Sequence, residues 1–186
     1  MRLFLATTFP APILRALNER VVVLRPKLPQ ASWVRPESQH LTFVFLGEQP
    51  ESLVAELVPR LEAALATTRA FTATLIGCGF FPNPRRARVA WIGVEPEQRF
   101  VEVAGAVRQA VQQCGVALDR DSFKAHLTLL RMRDPWPPRS IETFNAALRD
   151  YRSEPFDVDE VTLYSSKLQP TGAVHTAVAH VRLARA

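Results

Sequence analysis

Cysteine is scarce in this 186-residue chain, with only Cys78 and Cys114 present. Their separation fits no metal-ligand spacing, and inside a cell both are expected to stay thiols. No apolar run approaches the length of a membrane span, so no membrane partner is expected. Leu3 to Ile13 could pass for the apolar part of an export signal, but Pro10 and Pro12 interrupt it and Arg15 follows. It reads as a first strand, and a cytoplasmic location is expected. There is no nucleophile-elbow motif, and neither cysteine has a basic frame around it, which argues against a serine or cysteine nucleophile. Histidine is also sparse, with four residues.

What is present is ordinary for a soluble globular protein: 47% hydrophobic and 22% charged residues. The length allows one large domain or two small lobes with a buried core. A net charge of +5 is compatible with a phosphate-bearing partner, although many basic proteins bind no nucleic acid.

Two of the four histidines share one frame, His40-Leu41-Thr42-Phe43 and His126-Leu127-Thr128-Leu129. Each lies in a run that alternates like a strand. Period-two geometry puts His40, Thr42 and Val44 on one face, with Leu41, Phe43 and Phe45 on the other. His126 and Thr128 likewise oppose Leu127 and Leu129. A strand that buries its leucines therefore presents an imidazole and a hydroxyl about 7 Å apart.

The surrounding pattern repeats at an offset of about 86 residues, judged by period and spacing. Arg2 to Thr7 reads as a strand. Pro10 to Arg25 reads as a helix with Leu14, Leu17, Val21 and Leu24 on one stripe, ended by Pro26 and Pro29. The His40 strand follows, then a helix over 51–67 with Pro59 inside its leucine stripe, then a strand over 71–78. The second copy runs from the strand at Arg88 through a helix, the His126 strand, a further helix and a strand near Phe156. A final strand over 173–183 closes the chain. This order predicts an α+β fold of two duplicated lobes, with mainly antiparallel sheets, helices on the outer faces and a cleft between. A single bilobal unit over 1–186 is expected, its first repeat covering about 1–80 and its second about 87–186.

Imidazole has an unperturbed pKa near 6.5, so at neutral pH one ring can hold a proton while another lacks one. Such a pair can place a general base and a general acid on opposite sides of a reacting centre. Displacement at phosphorus uses that arrangement, because nucleophile and leaving oxygen lie roughly in line. Threonine hydroxyls can donate to the phosphate oxygens where charge builds. A zinc site is the weaker reading, since no third histidine, carboxylate or cysteine shares the spacing. No metal and no cofactor are expected.

The paired His-x-Thr frames resemble the 2H phosphoesterase superfamily, and within it the bacterial and archaeal RNA 2',3'-cyclic phosphodiesterases, also called 2'-5' RNA ligases. The resemblance extends through Arg2-Leu3-Phe4-Leu5-Ala6, Trp33-Val34-Arg35-Pro36-Glu37, Phe45-Leu46-Gly47-Glu48, the stretch from Phe80 to Trp91, Phe123-Lys124-Ala125 and Leu163-Tyr164-Ser165-Ser166. It implies metal-independent hydrolysis of an RNA or nucleotide 2',3'-cyclic phosphate end to a 2'-phosphomonoester. It also implies His40 as proton donor to the 3'-oxygen, His126 as proton acceptor from water, and Thr42, Thr128 and Arg131 as phosphate-binding residues. Arg131 has the wrong parity for the His126 face of a regular strand, so a bulge or the strand end must turn it. The same site run in reverse would act as a 2'-5' RNA ligase. A non-catalytic RNA-end binder is a third reading, and a monomer is expected. Where this family often has proline before the second histidine, Ala125 stands here. Where it often has tyrosine three residues after the last hairpin glycine, Gly172, His175 stands here.

Among other residues, Trp33 and Phe9 are candidates to stack on a base, while core packing is favoured for Phe80 and Phe81. Arg85, Arg86, Arg88 and Lys124 either line a phosphate path or form a solvated basic rim. His175 and His180 are read as outside the catalytic set.

Overall fold

Alternating stretches become strands and leucine stripes become helices in the computed structural model, which describes residues 1–118, 123–169 and 172–185. The last residue of the expected 1–186 unit lies outside these. The order is β1 (Arg2–Thr8), α1 (Ala11–Leu24), β2 (Ser32–Trp33), β3 (His40–Glu48), α2 (Leu53–Leu65), β4 (Phe71–Phe81), β5 (Val89–Glu95), α3 (Glu97–Gln113), β6 (His126–Arg131), α4 (Pro138–Leu148), β7 (Phe156–Val158), β8 (Glu160–Gln169) and β9 (Gly172–Arg182). The described residues form two antiparallel sheets, ordered β3-β1-β8-β9 and β2-β6-β5-β4-β7. With four helices this is an α+β fold.

The helices take their places through their stripes. Ile13, Leu17, Val21 and Leu24 are buried on α1; the expected Leu14 is only half-buried, and Ile13 takes its place. Leu53, Leu57, Leu61 and Leu65 are buried on α2, and the helix runs on through Pro59. Leucines anchored on both sides of the proline hold the segment in place. Helix α2 packs on α3 and β9, and α3 packs on β3; α4 packs on α1 and β4. The first sheet thus carries α2 and α3, and the second carries α4.

The sheets do not follow the sequence repeats. Strand β4 comes from the first repeat but lies beside β5 in the second sheet, and β8 and β9 come from the second repeat but complete the first sheet. The cause is local. Strands joined by a short connection pair with each other, and only a short loop with a turn at Pro84–Arg86 separates β4 from β5. Strand β4 itself runs through Phe81, three residues past the expected end.

Register corrects two readings of alternation. Thr42 pairs with Ala6, whereas Thr128 pairs with Trp91. The first strands therefore align one residue away from the offset that aligns the histidines, which exchanges their faces. The second correction lies inside the motif strands. Val44 pairs with Leu5 and Thr42 with Ala6, leaving Phe43 as an extra residue; Leu130 pairs with Ala90 and Thr128 with Trp91, leaving Leu129 as an extra residue. Both are bulges at the same point of the frame, and each reverses the phase beyond it. Val44 is consequently buried at 5% exposure and Phe45 is 62% exposed, the opposite of a regular strand.

Candidate active site

His40 and His126 open their strands, and both rings are anchored in the same way. Nδ1 of His40 donates to the carbonyl of Ser38 at 2.7 Å, and Nδ1 of His126 donates to the carbonyl of Lys124 at 2.7 Å. A carbonyl can only accept, so in the neutral ring Nδ1 carries the proton and Nε2 keeps its lone pair. The residue two positions before each histidine thus sets its tautomer.

Each ring also lies against an aromatic wall. The His40 ring lies 5.0 Å from that of Phe4. His126 meets Phe81 edge to face at 4.8 Å and sits 6.2 Å from Trp91. Trp91 in turn needs Gly79, because a Cβ there would lie 2.3 Å from the indole. These walls remove water, and burial is the main cause of the lowered pKa of both histidines. His40 is brought down to about 4, with the charges of His175, Arg131 and His126 adding to the effect. His126 is lowered by burial and then by Arg131 and Lys124. The carbonyl bonds to Ser38 and Lys124 oppose the shift in each case.

His126 and Arg131 thus lie near enough to act electrostatically on His40 from the neighbouring sheet. Strand β3 packs on β6, and a polar bridge ties them together. Buried Gln39 exchanges hydrogen bonds with Asn18 at 2.9 and 3.1 Å, and its amide reaches the carbonyl of Val34 at 3.4 Å. The Val34 N–H donates to the carbonyl of Leu129 at 2.8 Å. The segment leading into the first motif is therefore held to the bulge of the second.

The other sequence candidates fall in different places. Thr42 and Thr128 are half-buried beside their histidines. The bulge at Leu129 turns Arg131 to the face of His126 and Thr128, as its parity required. Lys124 is exposed, pairs with Glu97 at 2.8 Å and lies 5.9 Å from the Trp91 ring, at the rim. Trp33 is half-buried against the core, on the edge strand opposite Leu130. Phe9 is not brought to the cleft: it is 6% exposed and packed edge-on against Phe156, so neither ring face is open to a base. Phe80 is buried, whereas Phe81 forms part of the His126 wall. The arginines Arg85, Arg86 and Arg88 are exposed on the loop that follows Phe81. Two depressions of about 390 and 250 Å3 open around Arg182, and neither is lined by His40 or His126.

Three residues near the histidines were not singled out as site residues from the sequence. Phe45 occupies, after its bulge, the place in the first frame that Arg131 occupies in the second, with its ring 6.0 Å from Phe4. Applying the Arg131 parity argument to the first frame would have found it. Tyr164 stacks on the other side of Phe4 at 5.2 Å. His175 meets His40 edge to face at 5.4 Å, and only the β8–β9 register reveals it. His180 bonds to Glu160 at 2.7 Å and faces solvent.

Among the described residues, no cluster of three or more histidine, cysteine or acidic side chains is arranged to hold a metal ion. Among the same residues, no helix is long and apolar enough to cross a membrane.

Comparison with known proteins agrees with this geometry. Residues 14–170 match the 2'-5' RNA ligase superfamily. The chain is 34% identical over 181 residues to the RNA 2',3'-cyclic phosphodiesterase of Archaeoglobus fulgidus, covering 94% of this chain and 96% of that one. It is 29% identical over 178 residues to the protein of that name from Thermotoga maritima, covering 94% and 91%. The crystal structure of TT0787 of Thermus thermophilus superposes with a TM-score of 0.81 at 29% identity, over 98% of both chains. That of E. coli LigT complexed with 3'-AMP superposes with a TM-score of 0.73 at 27% identity, over 98% and 97%. Two motif strands with matched bulges and matched imidazole anchors, together with a match spanning most of its length, make this chain a member of the 2'-5' RNA ligase superfamily of 2H phosphoesterases.

Proposed function

We propose that this protein hydrolyses the 2',3'-cyclic phosphate end of RNA to a 2'-phosphomonoester, using His40 and His126 as acid and base. The observation that carries the reading is the identical anchoring of the two rings, each with Nδ1 on a carbonyl two residues back. Both Nε2 atoms are thereby left for proton transfer, with a threonine two residues on from each ring and the charge of Arg131 acting on both. Curated relatives over nearly the whole chain carry the name RNA 2',3'-cyclic phosphodiesterase, which supports the same substrate class.

In this mechanism the water oxygen attacks phosphorus as His126 Nε2 takes its proton. The bond from phosphorus to the 3'-oxygen breaks, and that oxygen takes a proton from His40 Nε2–H. The direction is the one the family resemblance implies; the local chemistry of the two rings is alike. Thr42, Thr128 and Arg131 donate to the non-bridging oxygens as negative charge builds on them. Phe45 offers an exposed aromatic face beside the site on which a base can stack.

His40 must be protonated to act as an acid, yet it is neutral in the empty site at neutral pH. An arriving phosphate anion reverses this, because its negative charge favours the charged imidazole. The substrate thus charges the acid that cleaves it.

The test is turnover of adenosine 2',3'-cyclic phosphate in the presence of a chelator. Two imidazoles supply both proton transfers, so hydrolysis is expected to continue with the chelator and to collapse in His40→Ala and in His126→Ala. Retained binding without turnover in the unaltered protein would instead identify an RNA-end binder.

A further inference from the structure

Strand β9 brings a third imidazole to this corner. His175 lies opposite Ser166 of β8. Its ring stands nearly perpendicular to that of His40, with centroids 5.4 Å apart, and to that of Phe4 at 4.9 Å. Phe4 is the common neighbour, with His40, Phe45, Tyr164 and His175 around it.

The two nitrogens of His175 are not equivalent. Nδ1 is buried and has no hydrogen-bond partner. Placing a proton there would strand a buried donor, and orphaned buried N–H groups are rarer than underused acceptors. The neutral ring therefore keeps its proton on Nε2. This is the reverse of His40 and His126, whose Nδ1–H groups are held by carbonyls. Burial also lowers the pKa of His175, which keeps the ring uncharged at neutral pH. His40 thus keeps a lone pair on Nε2, while the neighbouring ring of His175 carries an N–H at that nitrogen. A hydrogen bond spans about 2.9 Å, so rings 5.4 Å apart can touch oxygens of one ribose-phosphate unit.

We propose that His175 is a substrate-contacting residue whose Nε2–H donates to a phosphate oxygen next to the oxygen served by His40. It would supply a donor that needs no proton uptake, and so would hold the phosphate both before and after His40 changes charge. The proposal rests on reading the site as one that binds a phosphate ester.

Two measurements on the full-length protein test it. Nitrogen-15 NMR of the imidazoles at pH 7.5 should show His175 protonated at Nε2, with His40 and His126 protonated at Nδ1. Addition of inorganic phosphate should move the His175 Nε2 signal. The second measurement compares two variants in phosphate affinity. His175→Gln keeps an N–H donor, whereas His175→Phe keeps an aromatic edge against His40 and Phe4 but donates nothing. The Phe variant should bind phosphate at least tenfold more weakly than the Gln variant and turn over adenosine 2',3'-cyclic phosphate at least tenfold more slowly. Any other order of phosphate affinity, or an Nδ1–H tautomer at His175, overturns the proposal. Absence of turnover in the unaltered protein would overturn the hydrolytic reading instead, and the phosphate comparison would still decide the role of His175.

Discussion

Binding of a phosphate ester should draw a proton onto His40. In the empty site this ring is held near pKa 4, chiefly by burial against Phe4 and secondarily by the charges of His175, Arg131 and His126. An anion about 4 Å from the ring, at an effective dielectric constant near 20, interacts with the imidazolium by about 4 kcal/mol. At about 1.4 kcal/mol per tenfold change, that lifts the pKa by about 3, to the neighbourhood of 7. The change can be read directly. Carbon-13 spectra of the imidazole Cε1–H groups, taken from pH 3.5 to 8.5 with and without saturating adenosine 2'-monophosphate, should show two well-separated His40 midpoints. Calorimetry at pH 6.5 in buffers of different ionisation enthalpy should register proton uptake on binding. A His40 midpoint near 6.5 without ligand would refute the burial argument. A midpoint near 4 that does not move when nucleotide binds would refute the placement of the phosphate.

Further outcomes follow from the same geometry. His40→Ala and His126→Ala should each lower kcat/KM by about 10²- to 10⁴-fold, the range of general acid–base catalysis, measured on a cyclic nucleotide. Thr42→Val and Thr128→Val should lower kcat more than they raise KM if their hydroxyls act on charge that develops in the transition state. Folding stability should fall in mild acid. The unfolded chain protonates histidine near pH 6.5, whereas folded His40 resists until about pH 4. The stabilising term is therefore fully present above pH 6.5 and is lost as pH falls through 4, up to about 3 kcal/mol for this residue. Denaturant titrations of the unaltered protein and His40→Asn at pH 7 and pH 4.5 should reveal the difference as a flatter dependence in the variant. Gln39→Leu removes one partner of the reciprocal pair with Asn18 and should cost about 1–3 kcal/mol, read from the shift of the denaturation midpoint.

The residue types and their spacing carried much of this arrangement. His40, Thr42, His126 and Thr128 could be placed on common faces by counting in twos, and the helix stripes by counting in threes and fours. Counting in twos fails where a strand gains a residue. Phe45 reads as core from its own frame, because Phe43, Val44 and Phe45 are all apolar and alternation among them is silent; only the parity of Arg131, carried back to the first frame, points to the bulge. Arg131 was a better guide, since a charge at an apparently buried position signals that the phase has changed. His175 escaped for another reason. Its approach to His40 depends on which strands are neighbours and on how the final hairpin is registered, and both are long-range properties. The exchange of strands between repeats was hidden likewise, because a periodic sequence reveals duplication without saying which copy each strand will join.

That exchange has a consequence for how the molecule must be assembled. Cutting the chain within the loop that links β4 to β5 would leave each fragment with its own histidine but without a strand that its sheet requires. Neither fragment could finish a layer from its own residues, so each would serve as template for the other. The two motif strands then come together only as the fragments close on each other, and such pairing of distant segments is expected to be slow.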